Sequence, residues 1–261
     1  MKQRALNMSK LSVIILTKNE EDNISACLES AKWADEIILY DSDSTDNTVK
    51  IAKESGASVV VDSKWEGYGK QRIKAQQHAT CDWILMLDAD EIITPELKVD
   101  IQQKIEFNNT SVIYAIPRLS FCFGRFIHHS GWYPDYVYRL YSKEKTQYND
   151  SMVHEKLLVP DSMQIENLSS DLLHYTYKNL NHYLVKSAHY AEIWAIDKYS
   201  RGRTTNLTTG VLHGIGCFIK MYILRSGFLD GKQGFLLALL SAHSTFAKYA
   251  NLWTLQTKSE I

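Results

Sequence analysis

At 261 residues, with 45% hydrophobic and 11% aromatic content, the chain can bury a sizeable core, which excludes a disordered or fibrous protein. Its formal net charge of −1 hides an uneven distribution: residues 178–258 carry ten Lys/Arg against Glu192, Asp197 and Asp230, a surplus of +7 that leaves −8 for the rest. A basic rear of this kind is expected to face something anionic. No nucleic-acid-binding motif accompanies it, so nucleic acid is not the expected partner.

Cys27, Cys81, Cys122 and Cys217 lie far apart without CxxC spacing, as expected of buried thiols in a reducing compartment rather than disulfides or a zinc site. The opening "MKQRALNMSK" is charged, and "LSVIILTKNE" behind it turns polar after six residues, unlike a secretory leader. No run reaches ~18 uninterrupted apolar residues, the length expected of a spanning helix. A cytosolic protein is the expectation.

In chain order, short β-branched runs alternate with helical stretches: "LSVIIL" (11–16), a helix over 21–34, "EIILY" (36–40), a helix over 44–55, "ASVVV" (57–61), a helix over 69–79, and "WILML" (83–87). The strand candidates are continuously apolar, as in a parallel sheet covered on both faces. From residue 112 the pattern changes. "SVIYAIPRLSFCF", "DYVYRLYSK" and "MVHEKLLVP" read as strands punctuated by Pro117 and Pro134, an antiparallel extension of the sheet. Beyond Leu180 the chain reads as helical to its end, with Leu180, Leu184, Ala188, Ala191 and Ala195 at helical spacing.

Ligands of open α/β sheets gather at the carboxyl ends of strands, and here those ends are acidic: "TKNEED" after the first run, "DSDSTDNT" after the second, "DADE" after the fourth. Ser44 or Thr45 and Asp46 also suit the start of the helix over 44–55, so part of that polarity can be structural. Asp41 ends its strand. Asp88, Asp90 and Glu91 repel one another unless cations or shifted pKa values compensate, and a bound Mg²⁺ or Mn²⁺ would remove the conflict. A lone D-x-D is common in loops. After a fourth α/β strand it carries more weight.

Taken together, "SVIILTKNEEDNI", "YDSDSTDNT", "GKQR" and "WILMLDADE" strongly resemble the family 2 inverting glycosyltransferases. The resemblance implies an α/β fold of GT-A, Rossmann-like type: a mostly parallel sheet flanked by helices, with an antiparallel extension and a C-terminal helical segment. "GWYPDYVYRLYSK", "MVHEKLL" and "LLHYTYKN" look like the subgroup that builds the lipopolysaccharide inner core in Gram-negative bacteria, especially its β-1,4-glucosyltransferases. The implied reaction moves a hexose, glucose from UDP-glucose first among candidates, to a heptose or similar core sugar with Mg²⁺ or Mn²⁺. A nucleotidyltransferase on the same sheet type and a catalytically silent glycan- or lipid-binding protein are the alternatives.

Residue by residue, the resemblance implies that Thr17, Asn19, Glu20, Asp41 and Asp43 line the nucleoside pocket. Arg72, with Lys70 beside it, is the basic position near the nucleotide. Asp88 and Asp90 match the D-x-D, Asp90 as the direct metal ligand and Asp88 as a ribose or metal contact, while Glu91 can orient the loop. An inverting enzyme needs a general base within reach of the acceptor hydroxyl. Glu155 occupies the place of the family's acidic base, and Asp135 competes with it. The other reading of Asp135 is a Pro-Asp turn, and of Glu155 a strand carboxylate paired with Lys156. His174 is either an extra metal or diphosphate ligand or a structural histidine. Trp132, Tyr133, Asp135, Arg139 and His154 are the acceptor candidates, since sugar faces stack on rings, although Trp132 suits a core equally well.

The chain is expected to divide into a catalytic domain, 1–178, and a basic helical region, 179–261. Residues 210–253 combine Lys220, Arg225 and Lys232 with Phe218, Tyr222, Phe228 and Phe235. This is the pattern of an interfacial segment, which would place the protein on the cytoplasmic face of the inner membrane near a lipid-linked acceptor. A homo-oligomer interface is the rival.

Overall fold

The structure is a computed structural model that describes residues 9–152, 155–177 and 179–258. The four apolar runs form β1 (Leu11–Thr17), β2 (Glu36–Asp41), β3 (Ser58–Val61) and β4 (Trp83–Asp88). They pair in parallel in the order β3-β2-β1-β4. Their connections hold α1 (Ile24–Ala31), α2 (Thr48–Glu54) and α3 (Tyr68–Gln77). The inner runs are predominantly apolar because both sheet faces are covered there, whereas the edge strand β3 is partly exposed. Val13, Ile15, Leu85 and Leu87 pack with Ile24 and Leu28 of α1, whereas Ile14, Ile38, Ile84 and Met86 pack with Ala75 of α3.

Beyond β4 come β5 (Glu91–Ile93), α4 (Pro95–Phe107), β6 (Val112–Cys122), β7 (Arg125–Phe126), β8 (Asp135–Ser142), β9 (Gln164–Asn167) and β10 (Leu172–His174). The sheet continues as β4-β8-β6-β10-β5, with β7 and β9 on β6. β8 runs antiparallel to β4 and β6, and β10 antiparallel to β5, so the expected antiparallel extension is present. Three local readings are corrected. Pro117 lies inside β6, opposite Tyr136. Of the strand read over 152–160, the described residues form only an isolated bridge, from Leu157 to Tyr148, and Val153 and His154 lie outside the described residues. Helix α2 starts only at Thr48, where Asp46 accepts the Thr48 amide at 3.0 Å, while Ser44 and Thr45 belong to the preceding loop. Helix α4 was not read from the sequence, although Thr94 caps it by accepting the Leu97 amide and Pro95 opens it, the usual start signal.

Two compact units emerge. The first comprises the chain up to Arg118 and Asp135–His174; the second comprises Leu119–Pro134 and the chain from Tyr175 onward. This differs from a single boundary after residue 178. Cys122 and Ile127 share one apolar cluster with Tyr183 and Leu237, so the 119–134 excursion finds its partners among the rear helices.

The second unit contains α5 (Leu180–Ser200), α6 (Leu207–Phe218), a π-helical turn (Ile219–Leu224), a 3-10 turn (Gly227–Asp230) and α7 (Gly231–Lys258). Asn179 and Asn206 cap α5 and α6. Of the stripe read on α5, Ala191 and Ala195 are buried, but Leu180, Leu184 and Ala188 are exposed and Tyr183 is buried instead. Gly210 and Gly214 bring α6 close to α7, since a Cβ at Gly210 would meet Tyr249 at 3.0 Å and one at Gly214 the Ala242 carbonyl at 3.2 Å.

Candidate active site

The loops after β1 and β2 interlock at the carboxyl edge of the sheet. Asn19 accepts the Thr45 amide at 2.8 Å and donates its own amide to Ser44 Oγ at 2.8 Å. Glu20 donates its amide to Thr48 Oγ1 at 2.8 Å. Asp41 is fully buried and accepts the Ser44 amide at 2.8 Å. Asn19 and Asp43 have φ of 55° and 64°, the left-handed region that Asn and Asp tolerate better than most side chains. Thr17, Asn19, Glu20, Asp41 and Asp43 are therefore brought to one edge, with Asp43 exposed. The Thr17 hydroxyl is buried and has no hydrogen-bond partner among the described residues. Lys70 does not join them. It is half exposed on α3 and its ammonium lies 3.7 Å from Glu66.

Beside this edge runs a chain of alternating charges. Arg72 donates from Nε to Glu155 at 2.9 Å and from Nη2 to Asp88 at 2.7 Å. Arg139 binds the other Asp88 oxygen and reaches Glu91 at 2.8 Å. Arg118 links Glu91 at 3.4 Å to Asp135 at 2.6 Å. The order is Glu155, Arg72, Asp88, Arg139, Glu91, Arg118, Asp135: three guanidiniums and four carboxylates. The two candidate bases are its two ends. Burial opposes the Asp88 charge, but Arg139 and Arg72 outweigh it and hold the carboxyl far below the usual range. Burial likewise disfavours the Arg72 and Arg139 cations, and the neighbouring carboxylates, Asp88 first, hold both guanidiniums protonated.

The third acid of "DADE" has a role of its own. Glu91 is fully buried and accepts the Asp88 amide at 2.9 Å as well as the two guanidiniums, so it fixes the turn that follows β4. Asp90 points elsewhere. The pairing of β10 with β5 sets His174 opposite Glu91, and His174 Nε2 lies 3.3 Å from Asp90 Oδ2. A carboxylate and an imidazole this close can hold one divalent ion, whereas both Asp88 oxygens already bind guanidiniums. No group of three or more His, Cys, Asp or Glu among the described residues is arranged to hold a metal alone. Phosphate oxygens of a donor would complete the shell, as they commonly do for Mg²⁺.

A cleft of about 570 Å³ opens where the charge chain surfaces, lined by Arg72, Asp88, Arg118, Arg139 and Glu155 with Tyr136, Tyr138, Tyr148 and Lys156. Arg139 thus lines it, as does Glu155, whose side chain is 14% exposed; Asp135, 45% exposed, is tied to Arg118. Trp132 and Tyr133 belong to the second unit, where Trp132 packs in the cluster of Cys122 and Leu237 and Tyr133 lies against His128. His154 lies outside the described residues.

The family model described as Glycosyl transferase family 2 matches residues 12–159. The chain belongs to this family. An uncharacterized glycosyltransferase of Rickettsia prowazekii is 31% identical over 97% of this chain and 90% of its own length. The lipopolysaccharide core biosynthesis glycosyltransferase LpsC of Rhizobium meliloti is 23% identical over 92% of this chain and 93% of its own. Among solved structures, glucosyl-3-phosphoglycerate synthase of Mycobacterium tuberculosis, in complex with Mn²⁺, UDP and glucosyl-3-phosphoglycerate, aligns over 43% of this chain and 44% of that one at 25% identity and a TM-score of 0.36. This family 2 glycosyltransferase has the α/β sheet, parallel over β3-β2-β1-β4 with an antiparallel extension, that the sequence motifs imply.

Sequence reasoning missed Arg118 and Tyr148 in this family 2 site. Arg118 is a lone cation in the apolar run "YAIPRLSF", a signal that was present, since a charge inside a buried strand needs a partner. Tyr148 carries the Arg72 guanidinium over its ring at 5.0 Å. It comes from a loop whose sequence gave no periodic cue.

Proposed function

We propose that the chain is a divalent-metal-dependent inverting glycosyltransferase that moves a hexose, with UDP-glucose as the first donor to try, onto a heptose or similar sugar of a lipopolysaccharide core, carried on a lipid and reached from the cytoplasmic side. The observation that carries this reading is the Asp90–His174 pair just past the carboxyl end of β4, two residues beyond Asp88, which lines a cleft together with a separate carboxylate, Glu155. The full-length similarity to LpsC supports the choice of acceptor class.

In this reading the loops after β1 and β2 hold the nucleoside, with Asp41 and the Thr17 hydroxyl as polar contacts. Asp90 and His174 would hold Mg²⁺ or Mn²⁺, which as a Lewis acid stabilises charge on a departing diphosphate. Arg72 and Arg139 keep Asp88 ionised and fixed. Glu155 gives one oxygen to Arg72 and has the other for an acceptor hydroxyl. It takes that proton as the hydroxyl oxygen bonds to sugar C1 and the C1–diphosphate bond breaks with its electron pair leaving on UDP.

The test is UDP release from UDP-glucose on adding a purified, truncated lipopolysaccharide core, with Mn²⁺ and again with EDTA. Acceptor-dependent release that EDTA abolishes is expected. Release that is indifferent to EDTA would remove the metal, and no release from any nucleotide sugar would remove the donor class.

A further inference from the structure

One face of the second unit is both apolar and free of acids. Leu207–Leu224 forms a continuous helical stretch of 18 residues with mean hydropathy 1.4, of which only 17% is buried. Gly210 and Gly214 face α7, and the opposite side carries Leu212, Ile215, Ile219 and Ile223 at spacings of three and four, all exposed. Leu212 is 64% and Leu224 72% exposed, and Phe228 and Phe235 prolong the surface past the turns. So much contiguous apolar side chain is more than a soluble monomer usually shows to water.

The charges along this stretch have one sign. From Arg203 to Lys258 the sequence has six Lys/Arg and a single acid, Asp230. Asp230 is fully buried, accepting the His128 and His129 amides at 3.2 and 2.9 Å and lying 3.1 Å from His129 Nδ1. No carboxylate among the described residues of this stretch therefore faces outward, while Lys220, Arg225 and Lys232 are exposed beside the apolar face.

We propose that this face docks on an anionic lipid surface, the apolar side chains entering the acyl boundary and the three cations meeting headgroups. A second copy of the chain suits the face less well. A two-fold contact would bring the cations of both copies together with no acid on the face to pair them. Nucleic acid would leave the apolar side chains in water. The stretch is long and apolar enough to span a bilayer by length and composition alone, but Lys220 falls inside it and α7 covers one side of it, so the face is set on the bilayer and not across it. The inference stands apart from the reading of the cleft, because none of its residues belongs to the catalytic unit.

The test is co-sedimentation of the full chain with phosphatidylcholine vesicles, with or without about one third phosphatidylglycerol. Binding to the anionic vesicles that weakens with salt is expected. The double variant Lys220→Glu/Lys232→Glu should lower the partition constant at least about tenfold, since each cation near such a surface is worth about fivefold. Leu212→Ser/Ile219→Ser/Leu224→Ser should abolish binding. Both variants should keep the wild-type melting temperature, because the altered side chains are exposed. Equal binding to both vesicle types, unchanged binding by the charge variant, or a dimer in light scattering that the serine variant dissociates without any vesicle binding would each overturn the proposal. Failure here would leave UDP release from the cleft untouched, so the two readings fail separately.

Discussion

Arg72 donates from Nε to the Glu155 carboxylate at 2.9 Å, and the same guanidinium holds Asp88 at 2.7 Å. The strongest base candidate is thus tethered to the acid that ends β4. Glutamine at 155 keeps an oxygen for Arg72 but cannot take a proton. Glu155→Gln is expected to lower kcat by about 10²–10⁴, the usual contribution of a general base, and to leave UDP binding with Mn²⁺ unchanged in calorimetry. Asp135→Asn should cost less than about tenfold, since Asp135 is the exposed end of the chain and already bound to Arg118. The opposite ranking would make Asp135 the base.

Asp90 and His174 should act as one unit. Alanine at Asp90 is expected to remove Mn²⁺-dependent UDP binding and to lower turnover at least about a hundredfold, because the ion supplies several kcal/mol of charge stabilisation. Alanine at His174 should raise the Mn²⁺ concentration needed for half-maximal turnover while leaving metal-free UDP binding unchanged. A Mn²⁺ titration of both variants reads this directly, and a wild-type curve for His174→Ala would return that histidine to a structural role.

Glu91 is predicted to matter for stability. Removing its fully buried carboxylate leaves Arg139 and Arg118 undercompensated and frees the Asp88 amide. Glu91→Ala should therefore destabilise by about 3–5 kcal/mol, read from urea midpoints at constant slope. Loss of less than about 1 kcal/mol would mean that the charge chain is held by Asp88 and Asp135 alone.

The acid limb of stability should include Asp62. Hydrogen bonds from Lys74, Tyr40 and the Lys64 amide lower its pKa from 3.8 to about 2. A folded value below the unfolded one means that this stabilisation is complete above about pH 4 and is lost as pH falls toward 2. Asp62 and Lys74 are partly exposed, so the effect should be the small one of a solvent-screened surface ion pair. Asp62→Asn should flatten the stability profile between pH 4 and 2 in urea titrations, and an unchanged slope there would deny the pairing its role.

Much of the parallel sheet was legible because its inner strands β1, β2 and β4 are apolar runs ending in polar residues, which is what burial on both faces requires. Asp41 and Asp88 could be placed at strand ends for the same reason. The charge chain was not legible. It joins Arg72 of α3, Asp88 of β4, Glu91 of β5, Arg118 of β6, Arg139 and Asp135 of β8, and Glu155, and nothing in a one-dimensional pattern brings Arg118 to Glu91 or Arg72 to Glu155. Helix α4 escaped because its apolar face is narrow, with Leu97, Ile101 and Ile105 as its buried residues. The excursion of 119–134 into the second unit escaped because its apolar partners, Tyr183 and Leu237, lie far along the chain. The pairing of Asp90 with His174 depends on the register of two three-residue strands, too short to read from sequence.

The most direct test of the proposed chemistry is a thermal-shift comparison of UDP, GDP, ADP and CMP, each with Mn²⁺ and again with EDTA, because a ligand that binds only the folded state raises its apparent stability. Stabilisation by UDP with Mn²⁺ that EDTA removes, and that Asp90→Ala lacks, is the predicted result. Equal stabilisation with EDTA, or a preference for another nucleotide, would contradict a metal-dependent UDP-sugar transferase.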